Sequence, residues 1–224
     1  MKESEDNSVI LEILNKFCAK DTKYSGNMWM ENIFNFNGKT FSTNSFILIA
    51  SNKYLGDYPE NGKIQSIYPK AYNINKEISI SEIKDKLNLF PMVDCYDTIE
   101  SKCKACYGDG EVEFSFSFDS KTYDIYNECP VCNGDGLSFQ KSMEPNGRKE
   151  IDKSFYFKIG YCDFKAEIIN DIIYIAEKMK CNNIQLVSQS KNSLISVFTI
   201  GGIEVMVASL QNTEKENIAQ EIPL

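Results

Sequence analysis

Residues 166–209 read AEIINDIIYIAEKMKCNNIQLVSQSKNSLISVFTIGGIEVMVAS, and a change of period inside this stretch sets the fold class. From 166 to 180, Ile168, Ile169, Ile172, Ile173, Ala176 and Met179 recur at three- and four-residue spacing, which is one face of an amphipathic helix. Beyond Cys181 that spacing gives way to short β-branched runs at 183–188 and 194–200. Gly201-Gly202 then makes a two-residue turn into a third run at 203–209. The stretch predicts a helix followed by three antiparallel strands.

The start of the chain has the same layout. Val9, Ile10, Ile13, Leu14 and Phe17 share a helical face over 9–18, behind an Asp6/Asn7/Ser8 cap region. Strand-like runs follow at 28–36 and 39–43, joined by Asn37-Gly38, a strong hairpin signal, and a third lies at 46–51. If the two stretches are copies, their helices lie side by side on one face of a sheet and Asn37-Gly38 and Gly201-Gly202 occupy equivalent turns. Between them, 76–80 reads as a strand and 81–88 as a short helix, with Ile78, Ile80, Ile83 and Leu87 requiring burial. The fold class is therefore α+β, with two helix-plus-three-strand halves and antiparallel sheets. The polar residues 211–224 read as a flexible tail.

Between the halves the pattern C-x-x-C-x-G-x-G occurs twice, as CKACYGDG at 103–110 and CPVCNGDG at 129–136. Two such turns supply four thiolates, Cys103, Cys106, Cys129 and Cys132, enough for a closed tetrahedral site. Gly108, Gly110, Gly134 and Gly136 let the backbone take positive φ and turn its amides toward the sulfurs. Val112, Phe114, Phe116 and Phe118 alternate with polar residues as in a two-faced strand, 119–122 makes a turn, and Tyr123 to Asn127 return beside it. That hairpin brings the cysteine pairs together. The reading is a structural zinc site, with a redox dithiol and an iron–sulfur cluster as the alternatives. The domain layout is then a discontinuous domain of 1–100 and 139–210 with an inserted zinc hairpin over 101–138.

Composition narrows the function classes. The 24 Lys+Arg against 32 Asp+Glu give a net charge of −8, so any nucleic-acid contact is local rather than driven by bulk charge. No apolar run is long enough to span a bilayer, and MKESEDNSVI lacks a signal-peptide layout, which predicts a cytoplasmic protein without membrane contact. With no histidine in the chain, a serine or cysteine nucleophile lacks its usual base, and Asp109 and Asp135 sit in glycine turns where aspartate is expected for backbone reasons. The chain reads as no enzyme. Cys18, Cys95, Cys162 and Cys181 read as packing residues.

Two resemblances add to this. The repeated cysteine motif resembles the zinc-binding region of the DnaJ co-chaperones, although two motifs can build only one site. The segment FSTNSFILI at 41–49 resembles the A-T-D-x-x-R-L stretch of the bacterial sliding clamps, the β subunits of DNA polymerase III. Residues 163–210 look like the last half-domain of that family. Asn44 stands where the clamp pattern has Asp, Ile47 where it has Arg, and VMVASL lacks a terminal Met-Pro. The resemblance implies a clamp-like domain with an inserted zinc hairpin, acting as a non-catalytic accessory or binding protein of DNA metabolism. It implies a protein partner docking a short peptide, weak non-specific DNA contact and a homo-oligomer. The alternative is a protein-interaction or inhibitory module, of phage or mobile-element type, that uses the zinc hairpin, or a DnaJ-like zinc-binding protein. The terminal Gln220-Glu221-Ile222-Pro223-Leu224 loosely resembles the Q-x-x-L peptides that dock on clamps.

Overall fold

The structure is a computed structural model that describes residues 2–20, 28–66, 73–189, 194–210 and 217–224, with the backbone alone for 2–5. In chain order the elements are α1 (Lys2–Lys16), β1 (Phe34–Phe36), β2 (Lys39–Thr43), β3 (Ile47–Ser51), β4 (Lys76–Ser79) and α2 (Ile80–Leu87). There follow β5 (Met92–Lys102), β6 (Glu111–Phe118), β7 (Lys121–Glu128) and β8 (Leu137–Ile151). The chain closes with β9 (Tyr156–Ile159), β10 (Cys162–Lys165), α3 (Ala166–Lys178), β11 (Asn183–Ser188), β12 (Ile195–Ile200), β13 (Ile203–Ala208) and β14 (Ile218–Ile222). These group into two compact units, residues 1–91 with 151–224, and residues 92–150. The inserted unit is thus wider than the cysteine hairpin alone, because β5 and β8 pair with each other as its stem.

In the first unit a seven-stranded sheet runs β1-β2-β3-β13-β12-β11-β4, with every neighbouring pair antiparallel. The order of the first three strands is mirrored by that of β13, β12 and β11. The two halves meet where Ile49 lies opposite Val205 and Leu48 opposite Met206. Alternation in the central strands serves two faces. Ile47, Ile49, Val205 and Val207 belong to the large core that also holds Ile13, Phe17, Ile169 and Ile172 from the helices. Leu48, Ala50 and Met206 join Phe34, Phe41 and Ile64 in a smaller cluster on the reverse side.

The helices α1 and α3 pack against each other in that large core. Lys16 pairs with Asp171 and Lys178 with Glu12, so the numbering falls along one helix as it rises along the other, and they run antiparallel. This is the side-by-side placement expected of two copies. The turns are not equivalent. Asn37-Gly38 joins the first and second strands of its half, whereas Gly201-Gly202 joins the second and third of the other. Both turns have positive φ at both residues, the geometry that Asn-Gly and Gly-Gly favour, so turn chemistry identified each hairpin but not its place in a repeat. The position matching Gly201-Gly202 in the first half is filled by Asn44, Ser45 and Phe46.

Other expectations also differ in extent. The first helix begins at Lys2, ahead of the expected cap. Met28–Glu31 is a 3-10 turn where a strand was expected. Residues 218–222 are a strand rather than a flexible tail, parallel to β9, with Ile222 buried; residues 211–216 of that tail lie outside the described residues. No described helix is long and apolar enough to cross a membrane.

Asp152 N–H donates to the Pro91 carbonyl at 2.9 Å, so the two chain ends that enter the inserted unit are adjacent within the first. Replacing 92–150 by a short Gly/Ser linker is therefore expected to leave a cooperative fold, checked by urea unfolding. Phe198→Ala in the large core should instead cost about 3–5 kcal/mol in the same measurement.

Candidate metal centre

The four cysteines of the repeated motif sit in the second unit at the ends of β6, β7 and the β5–β8 stem. Each motif folds the same way. Tyr107 and Asn133, at φ 56° and 52°, precede Gly108 and Gly134 at φ 99° and 85°, and the following Asp amide donates to the second cysteine's carbonyl. The two motifs then clasp each other reciprocally, with Cys103 N–H donating to Gly136 O at 2.8 Å and Cys129 N–H to Gly110 O at 2.7 Å. Gly110 and Gly136 have no substitute here. A Cβ on Gly110 would stand 2.3 Å from Gly134 O, and one on Gly136 2.4 Å from Gly108 O, in addition to φ of +78° and +71°.

This clasp drives four buried thiols into one cluster. Their Sγ atoms all lie within 4.8 Å of one another, with Cys103 to Cys129 at 3.9 Å and Cys106 to Cys132 at 3.7 Å. A tetrahedral ion with metal–sulfur bonds of about 2.3 Å requires sulfur–sulfur edges of about 3.8 Å. A disulfide would need about 2.05 Å, and all eight cysteines are free. Gly110 N–H and Gly136 N–H each point at the second sulfur of their own motif at 3.3 Å, the amide arrangement the glycines predict for thiolate ligands. The donor set is compatible with a metal such as zinc.

The Cys106 and Cys132 thiols shift in opposite directions. Burial pushes Cys106 up, but amide hydrogen bonds from Gly108 and Gly110 and those of the Cys132 and Cys103 thiols outweigh it and bring it down to about 7. Burial pushes Cys132 up to about 11, opposed by the Gly136 amide and reinforced by the Cys129, Cys106 and Cys103 sulfurs. Thiols this close oppose one another's ionisation, because one thiolate repels the next. A cation at the centre removes that opposition.

Among the remaining cysteines, Cys162 is buried and packs in the large core, while Cys18 and Cys181 pack against it half-buried. Gln220 to Ile222 form the end of β14, where Ile222 is buried, and Pro223 and Leu224 follow it, so this segment is part of the fold and not a free peptide.

The turn after β2 carries the other distinctive sequence, and it is built around Asn44. The Asn44 side-chain oxygen accepts from Phe46 N–H at 3.1 Å and Ile47 N–H at 2.9 Å, while the Thr43 hydroxyl donates to Ile47 O at 2.9 Å. An aspartate could accept both amide bonds equally well. Beside this turn, on the reverse face of the sheet, is a pocket of about 320 Å³ lined among others by Trp29, Phe46, Leu48, Ile64 and Met206. Trp29 and Ile64 come from 3-10 turns outside the strand pattern, which is why periodicity alone did not reveal the pocket.

No protein-family model matches the sequence, and no curated protein matches it. Solved structures similar to it are bacterial sliding clamps. The DNA polymerase III β subunit of Borrelia burgdorferi, in complex with a natural product, gives a TM-score of 0.48 at 10% identity over 93% of this chain and 63% of that one. The β subunit of Thermotoga maritima gives 0.45 at 11% identity over 93% and 65%. The Helicobacter pylori β clamp bound to a DNA ligase peptide gives 0.31 at 15% identity over 77% and 40%. The chain spans from two fifths to just under two thirds of the length of these proteins.

Gly110→Ala is expected to abolish metal retention, since both the backbone sign and the contact with Gly134 O forbid a side chain; metal analysis of the purified variant against the parent protein checks this. Asp109→Ala, outside that contact, should retain the metal.

Proposed function

We propose that this protein is a clamp-like binding protein that acts without catalysis, with Cys103, Cys106, Cys129 and Cys132 holding one structural zinc ion. The observation that carries the clamp reading is the mirrored strand order about β3 and β13, backed on one face by antiparallel α1 and α3. It is the arrangement implied by the sequence resemblance of 41–49 and 163–210. The pocket formed at the Thr43–Phe46 turn gives the reading a place to act: it is apolar and suits one large side chain of a partner's peptide. Four sulfurs close the zinc coordination shell and leave no position for water, so the ion stabilises the unit and does no chemistry.

Contact with DNA is weak and non-specific in this reading. Lys16, Lys84 and Lys178 on the helices each face a carboxylate, of Asp171, Glu177 and Glu12 respectively. The Lys178 hydrogen bond holds the Glu12 carboxyl below its ordinary range, so the pair stays ionised and neutralised at neutral pH.

The test is fluorescence anisotropy with a labelled peptide carrying the Q-x-x-L pattern. Binding that falls at least about tenfold in Phe46→Arg, at an exposed residue of the pocket wall, supports the reading, and equal binding by both proteins refutes it. Metal analysis is expected to return one zinc per chain; iron, or two ions, would contradict the site. Affinity for duplex DNA should show a shallow salt slope, because few phosphates are neutralised, and tight binding at physiological salt would rule this part out.

A further inference from the structure

The hairpin of β6 and β7 separates its side chains sharply. Its register places Val112 opposite Asn127, Phe114 opposite Ile125, Phe116 opposite Tyr123 and Phe118 opposite Lys121 on one face. The reverse face carries Glu111 opposite Glu128, Glu113 opposite Tyr126, Ser115 opposite Asp124 and Ser117 opposite Thr122. The first face has no carboxylate and the second has four. Phe116 and Tyr123 stack at 5.1 Å, so the apolar face is ordered from within. Yet Phe114, Phe116 and Phe118 are 51%, 53% and 71% exposed, and Tyr123 and Ile125 are 44% and 49% exposed.

We infer that this face is where two copies of the chain meet, β6–β7 hairpin against β6–β7 hairpin, about a two-fold axis. Three considerations select a second copy. The first is charge. A chain of net charge −8 repels its own copies over most contacts, but this face brings no carboxylates together. Sheets packed face to face stand about 10 Å apart, which leaves the acidic outer faces about 20 Å apart, beyond the Debye length of about 8 Å.

The second consideration is area. At about 200 Å² per large side chain these exposures leave about 500 Å² on each copy, and two faces meeting remove about 1,000 Å² from water. That reaches the lower end of specific interfaces and predicts a reversible dimer. The third is the ribbon itself. A two-stranded sheet with one apolar face needs a second layer to be stable, and an identical ribbon supplies stripe for stripe. The four carboxylates behind the ribbon repel a polyanion, which disfavours nucleic acid stacking on the aromatics.

The inference goes beyond the peptide-pocket reading and does not depend on it. Sedimentation velocity of the full-length, metal-loaded chain from about 1 to about 200 µM tests it. A concentration-dependent monomer–dimer equilibrium is expected. Phe116→Lys, which sets two like charges at the centre of the contact, should weaken it at least about tenfold, while Tyr126→Ser on the reverse face should not change it. Mixing Phe116→Lys with Phe116→Glu should restore dimers that neither forms alone. Metal content of each variant confirms that the unit is intact. A chain that stays monomeric throughout, or a dimer indifferent to Phe116→Lys, as one formed through the seven-stranded sheet would be, overturns the inference.

Discussion

Everything in the first unit depends on the antiparallel pairing of β3 with β13. These strands lie at the centre of the sheet and are buried on both faces, so each residue is committed to one of two clusters: Ile47 and Ile49 to the helical side, Leu48 and Ala50 to the other. A slip of one residue would exchange the two sets and press Met206 toward the helices in place of Val205 and Val207. Because each cluster has a different volume and different partners, the register is held from both sides. The helices can then only lie where their isoleucine stripes meet Ile49 and Val205. The pairing of two distant chain segments thus fixes the placement of α1 and α3.

The second unit is organised by a different constraint. Its buried cluster consists of four cysteines with Val112 packed against them, and most of its large apolar side chains are exposed. A unit of this size cannot draw enough stability from such a core, and small domains of this kind rely on a metal or another staple. The backbone is shaped for that purpose. Reciprocal amide–carbonyl bonds between the motifs, and the close approach of Gly110 to Gly134 and Gly136 to Gly108, hold the sulfurs at coordination distance. In zinc-finger peptides metal binding supplies on the order of 10 kcal/mol, which is the scale of a whole domain's stability.

The parts legible in the sequence were those where one local pattern has one physical solution. Ile169, Ile172, Ile173 and Ala176 of the expected stripe are buried on α3, with Ile168 half-buried, Met179 its C-cap and Ile175 buried in addition, and the four cysteines converge as their spacing implies. The alternation from Val112 to Phe118 is the strand β6, although its turn needs only Asp119 and Ser120, both at positive φ, where four residues were expected. What was not legible depends on distant partners. Residues 218–222 are too polar to announce a strand, and they become one because β9 offers a free edge and Ile222 finds the core. The strands β9 and β10 and the β5–β8 stem were missed for the same reason: their pairing, rather than their composition, defines them. The pocket beside Phe46 draws residues from 3-10 turns and from strands of both halves, so no window of sequence contains it.

Charge on the helical layer shows how lysines can be offset by neighbouring carboxylates among the described residues. Lys16 lies 3.3 Å from the centre of the Tyr174 ring and within 3.9 Å of Asp171, so its charge is shared between an aromatic face and a carboxylate. Burial raises the Asp171 carboxyl, Lys16 lowers it and Glu167 raises it again, leaving the balance on the raised side. Such pairs contribute little to stability at the surface, about 0–1 kcal/mol each. Their effect is on the field: Lys16, Lys84 and Lys178 are each answered locally by a carboxylate, which lowers the potential a phosphate backbone would meet there. In the proposed reading, specific contacts fall to two apolar surfaces, the pocket beside Phe46 and the aromatic face of the β6–β7 hairpin, where binding is governed by shape and buried area instead of charge.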